Sequence, residues 1–184
     1  LLNLIGGLDV PSSGNIFFKE RSLSSMSREQ TAEYRRENIG FIFQTYNLLP
    51  VYSVYENVLF PLLLNGDKEK DVRERVMEIV GKVGLTDQFK KRPAQLSGGQ
   101  CQRVAIARAL VKDPLIILAD EPTANLDTEN SLQILELMRQ LNQQYQAAVI
   151  FSTHDEKVTR YVRREVKLED GRIVSDENNI NGTA

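Results

Sequence analysis

The run Leu115 to Ala119, bounded by Asp113-Pro114 in front and Asp120-Glu121 behind, leaves this chain few folds to choose from. Five consecutive apolar residues show no preference for one face. As a strand they need cover on both sides, which is the situation of a parallel strand flanked by helices. Strands of that kind present their chemistry at the carboxyl end, and two adjacent acids stand there. The preceding residues predict what does the covering. Leu96-Ser97-Gly98-Gly99-Gln100 puts a hydroxyl and two glycines ahead of a helix predicted over 100–111, with Val104, Ile106, Ala107, Ala109, Leu110 and Val111 along it. Pro114 stops that helix. Small residues at its positive end let backbone N–H groups converge on an anion. A phosphate-binding turn, a helix, a buried strand and an acidic pair, in that order, predict an α/β fold.

The rest of the chain supplies the other layers. Leu1, Leu2, Leu4, Ile5 and Leu8 follow a helical period, closed by Gly6-Gly7 and Pro11. A strand is predicted over 14–19. Ser27 with Gln30 forms a capping box for a polar helix reaching about Glu37, and a second strand runs over 39–43 with Gln44 at its end. From Thr45 to about Ala94 the pattern turns helical. Ser53 and Glu56 cap a helix through Tyr55, Val58, Leu59 and Leu62, and Val72, Val76, Ile79, Val80 and Val83 make one apolar stripe on a charged helix. The charge run Asp67 to Arg75 is that helix's solvated face. Asp127 is placed to cap another helix, with Leu132, Leu135, Met138 and Leu141 along its inner face. A strand over 147–152 ends at Thr153-His154-Asp155, and Asp170-Gly171 is a favoured hairpin turn between 165–168 and 172–174. Residues 175–184 read as a polar, disordered tail.

Bulk properties narrow the class. At 184 residues the chain is one domain's worth. A net charge of -2 gives no basic field, so nucleic acid is not an expected partner. The apolar run Val58 to Leu64 is far below the roughly 20 residues that span a bilayer, so membrane attachment would come through a partner. Cys101 is the single cysteine, which excludes an internal disulfide and suits a reducing compartment.

Taken together, the motif at 96–100, the strand ending in Asp120-Glu121 and the segment Asn125-Leu126-Asp127 resemble the ATPase subunit of ATP-binding cassette (ABC) transporters over nearly the whole chain. The resemblance implies a P-loop NTPase-type parallel sheet core with an inserted helical subdomain. The core would comprise residues 1–44 and 95–174, and the subdomain residues 45–94, followed by the tail. In that family the helix at 1–8 follows the phosphate-binding loop G-x-x-x-x-G-K-[ST], which these 184 residues do not contain. The expectation is an N-terminally truncated domain, lacking its first strand and that loop.

The same resemblance assigns the site. ATP and Mg²⁺ are the implied cofactors. Asp120 would hold the metal, usually through water, and Glu121 would deprotonate the attacking water. His154 would contact the γ-phosphate, and Gln44 would reach the metal or the water. Ser97, Gly98, Gly99 and Gln100 would cradle a nucleotide bound to a second ATPase subunit in a head-to-tail two-fold dimer, which Asp127 would also contact. An integral membrane transporter subunit is the other implied partner, and the cytoplasmic face of the bacterial inner membrane the implied location. The segment from Asn47 to Leu62 is most similar to the lipoprotein-releasing and macrolide-export branch. A cell-division ATPase that moves no cargo, and a degenerate subunit that lends its signature turn in trans, stay open as alternatives.

Overall fold

Three short parallel strands carry the structure, a computed structural model that describes residues 1–179. Strand β3 (Ile39–Ile42), β4 (Ile116–Asp120) and β5 (Ala148–Ser152) lie side by side in that order. Ile42, Ala119 and Phe151 stand at one level of the sheet. Parallel neighbours need long crossovers. Helices α3 (Val54–Leu64), α4 (Glu69–Lys82) and α5 (Gly98–Leu110) lie between β3 and β4, and α6 (Thr128–Tyr145) lies between β4 and β5.

Both faces of β4 are covered, which explains its unbroken apolar run. Ile117 and Ala119 join the larger core, with Val58 and Leu62 of α3, Val76, Ile79 and Val80 of α4, Val104, Ile106 and Leu110 of α5, and Ile134 and Met138 of α6. Leu118, packed with Ile39, Tyr34 and Leu23, belongs to a smaller cluster on the opposite face, against which Leu2, Ile5 and Phe41 rest. The close approach of α5 to β3 depends on Gly40, where a Cβ would come within 2.7 Å of the Ala109 carbonyl oxygen.

Local signals placed most elements. The capping boxes form as read, Ser27 with Gln30 ahead of α2 (Arg28–Asn38) and Ser53 with Glu56 ahead of α3. Residues 67–71 and 73–75 are exposed on the outer side of α4 and the turn before it. Asp170 and Gly171, at φ 48° and 76°, close the antiparallel hairpin of β6 (Arg164–Glu169) and β7 (Arg172–Asn178).

Four expectations are corrected. The strand expected over 14–19 shrinks to β1 (Phe17–Phe18), paired with β2 (Arg21–Ser22), because Lys19 takes a left-handed turn at φ 52°. Leu132 is 42% exposed rather than on the inner face of α6. A row spaced strictly by three drifts about 60° per step around a helix of 3.6 residues per turn, and the buried face runs through Ser131, Ile134, Leu135, Leu137, Met138 and Leu141. Ser175 to Asn178 complete β7 rather than belonging to a disordered tail, since their backbone pairs with Arg164 to Lys167. Asn179 follows β7, and its N–H donates to the Arg163 carbonyl at 2.8 Å, whereas 180–184 of that expected tail lie outside the described residues. The helix expected at 1–8 is reduced to the single turn α1 (Leu2–Ile5), ended by Gly6 and by Gly7 at φ 62°, and α7 (Glu156–Thr159) is likewise a single turn.

Candidate functional site

The register of the sheet brings four of the sequence-selected residues to one edge. Gln44 lies two residues beyond β3, Asp120 ends β4 with Glu121 next, and His154 lies two residues beyond β5. Sheet pairing continues one step past β4, where the Glu121 N–H donates to the Ser152 carbonyl at 2.9 Å. Glu121 then turns left-handed, with φ at 44°. A non-glycine residue rarely adopts that region, and retaining one costs on the order of 1–3 kcal/mol.

Three donors hold the Glu121 carboxylate. Thr153 Oγ1 donates to Oε2 at 3.0 Å, the His154 N–H donates to Oε1 at 3.2 Å, and His154 Nδ1 lies 2.6 Å from Oε1. An ionised carboxylate only accepts, so Nδ1 carries the proton in that contact. The Thr153 hydroxyl accepts from the Asp155 N–H at 3.0 Å, which leaves its own proton directed at Glu121. Glu121 is 20% exposed and the His154 ring 88% exposed. The carboxylate is thus fixed while the imidazole faces solvent. Glu121, His154 and Asp155, with Thr123, Ala124, Leu126, Ser131 and Lys157, border a cavity of about 540 Å³.

Asp120 is exposed, and its carboxylate has no protein partner among the described residues. That set also contains no group of three His, Cys, Asp or Glu side chains poised around a metal. A free, exposed carboxylate fits Mg²⁺, which keeps several waters and takes few protein ligands. The Gln44 carbonyl accepts from Asn125 Nδ2 at 2.8 Å, which ties the end of β3 to the loop after Glu121.

The remaining selected residues form a second group. Ser97 caps α5 and exchanges hydrogen bonds with Gln100 across a capping box, a feature that sequence reading took only as an anion turn. Gly98 is exposed and Gly99 is buried against Asn130, where a Cβ would come within 2.9 Å of Oδ1. Asp127 caps α6. The Asn130 N–H and Nδ2 donate to its two oxygens at 2.8 and 2.7 Å, and they hold its pKa below the ordinary value. Among the described residues, none of Ser97 to Gln100 hydrogen-bonds to Glu121 or His154. The signature turn packs instead beside Asn125, Leu126 and Asn130 of its own chain.

Sequence reading missed Arg108. Its Nη2 donates to the Tyr46 carbonyl at 2.7 Å and its Nη1 to the Asn47 carbonyl at 2.5 Å. The available signal was a single charge set within the apolar run from Val104 to Leu110. Burial raises the pKa of the Cys101 thiol, which suits a packed helix residue.

Residues 1–124 match a family model described as ABC transporter. Two solved structures of the cassette MJ0796 are similar to this chain. One is described as a dimeric, post-hydrolysis state bound to ADP and Pi, and the other as a dimeric bacterial ABC transporter cassette. Each is 38% identical, with a TM-score of 0.86, and the match covers 96% of this chain and 78% of theirs.

Proposed function

The chain belongs to the ABC transporter family, and from that premise we propose that it is the nucleotide-binding and hydrolysing part of a transporter, paired head to tail with a second ATPase subunit. The dimeric MJ0796 cassettes support that pairing. The observation that carries the reading is Glu121, a left-handed strand-end carboxylate held by Thr153 and His154.

Bound Mg²⁺ would neutralise charge on the phosphate oxygens. Asp120, exposed and without a protein partner among the described residues, would hold it, with Gln44 as a further candidate ligand. Glu121 takes the proton of the attacking water, and Thr153 keeps the carboxylate aimed. His154 has its Nε2 side free in solvent to meet the terminal phosphate once the imidazole swings off Glu121. The N–H groups of Gly98 and Gly99, which the helix does not satisfy internally, together with the Ser97 hydroxyl receive the nucleotide carried by the other subunit. Asp127 lies beside that contact.

The division into a core of 1–44 and 95–174 and a helical subdomain of 45–94 is part of the same proposal. It is supported by α3 packing on α4 within 45–94. We assign the protein to the lipoprotein-, peptide- or macrolide-exporting branch on its residues 47–62. No described helix is long and apolar enough to cross a membrane. An integral membrane subunit would therefore hold it peripherally at the cytoplasmic face of a bacterial inner membrane. A groove of about 710 Å³ between α2 and the end of α3 suits that contact, with Leu8, Phe41, Pro61 and Leu64 as its apolar lining and Glu29 and Glu33 among its charged residues.

The test is Glu121→Gln in the intact, ATP-hydrolysing subunit. Turnover should fall by about 10²- to 10⁴-fold, the range typical for loss of a general base, while ATP binding persists and the ATP-bound dimer accumulates. Wild-type turnover by that variant would remove Glu121 from the role.

A further inference from the structure

The segment after Gln44 is held by contacts that the site described so far does not use. Tyr46 and Asn47 both adopt left-handed backbone, at φ 61° and 47°. Two consecutive non-glycine residues stay in that region only where surrounding contacts impose it. Some of those contacts are local. The Tyr46 N–H donates to the Phe43 carbonyl at 3.0 Å and the Asn47 N–H to the Thr45 carbonyl at 2.6 Å. The carbonyls of the same two residues turn outward to α5, where the Arg108 guanidinium spans both. No carboxylate forms an ion pair with Arg108 among the described residues. Its charge is met by backbone dipoles, and it sits between the buried residues Ala107 and Ala109.

The other end of this turn meets the head of the same helix. The Tyr46 hydroxyl lies where a Cβ on Gly98 would be 3.0 Å away. Gly98 and Arg108 are ten residues apart, about 15 Å along a helix. One short turn is therefore clasped by α5 at two levels and joined to the loop after Glu121 through Asn125.

We propose that Arg108 is a positioning residue: by clamping the Tyr46-Asn47 turn to α5, it sets where Gln44 stands and links Gln44 to the signature turn at the head of that helix. The functional half of this rests on the reading of Gln44 given above. A planar guanidinium suits the task because its fixed fork reaches two carbonyls at once, whereas a lysine ammonium acts as a single point charge. Movement of Ser97 to Gly99 on meeting the other subunit's nucleotide would be carried along α5 to Gln44 within the same chain.

Hydrogen–deuterium exchange on Arg108→Lys tests the clamp. Exchange at Tyr46 and Asn47 should rise at least tenfold, with the sheet and α6 unchanged. Adding Asn47→Gly, which takes the left-handed region freely, should restore most of the protection. In the intact ATP-hydrolysing subunit, Arg108→Lys should lower kcat and leave KM for ATP in place. Asn47→Pro, at an exposed position outside the core, should give the same rise in exchange at Tyr46. Unchanged exchange at the turn in Arg108→Lys, with the rise in Asn47→Pro showing that the measurement registers loss of the turn, overturns the proposal. Raised exchange with an unchanged kcat leaves the clamp standing and overturns the reading of Gln44.

Discussion

At the scale of the residue, the arrangement around Glu121 turns on which atoms are free to donate. The Thr153 hydroxyl accepts from the Asp155 N–H and donates its own proton to Glu121 Oε2. A hydrogen bond to a charged group contributes roughly 1.5–3 kcal/mol, and about 1.4 kcal/mol is a factor of ten in rate. Thr153→Val should therefore lower kcat of the intact subunit by about 10- to 100-fold, and Thr153→Ser should retain most of it. Equal turnover in the valine and wild-type enzymes would show that the hydroxyl does not orient the carboxylate during reaction.

At the scale of the element, helix ends hold the layers in register. Lys112 follows α5, and its Nζ donates to the carbonyls of Arg35 and Arg36 at 2.8 Å each, so it caps the C-terminal end of α2 where the helix dipole favours a cation. Burial nonetheless lowers its pKa to about 8. Between about pH 8 and the unfolded lysine value near 10.4, the native state binds fewer protons than the unfolded one. Stability from this group therefore rises with pH across that window, and is lost again as pH falls through about 8. Urea unfolding of wild type and Lys112→Met at pH 7 and pH 10 checks the sign. The difference should move in favour of wild type at the higher pH, and a gap independent of pH would contradict it.

At the scale of the whole molecule, the site is divided. Asp120, Glu121, Gln44 and His154 address a metal, a water and one terminal phosphate, whereas a P-loop lysine and its ring of N–H groups hold the β- and γ-phosphates. No G-x-x-x-x-G-K-[ST] occurs between Leu1 and Ala184. Calorimetric titration of this 184-residue chain with Mg-ATP should accordingly show no tight binding, and a micromolar Kd would locate the phosphate site in other residues. The groove beside α3 makes a separate prediction. Leu64 is 58% exposed at its rim, so Leu64→Asp in the assembled transporter should uncouple transport while sparing basal ATP hydrolysis. Unimpaired transport would place the membrane subunit elsewhere.

Sequence alone determined what depends on neighbours in the chain. The capping boxes at Ser27 and Ser53, the cap at Asp127, the stripe of Val76, Ile79 and Val80 and the turn at Asp170-Gly171 follow from spacings of one to four residues. The doubly covered strand at 116–120 followed from the apolar run 115–119, although Leu115 itself is 45% exposed just ahead of it. Tertiary structure decided what joins distant residues. Glu121 and His154 are 33 positions apart and meet because β4 and β5 pair in register. Arg108 finds carbonyls about 60 residues earlier because Gly40 lets α5 settle on β3. The exposure of Leu132 was set by which side of α6 the sheet and α5 cover, and a row of apolar residues spaced by three does not carry that choice.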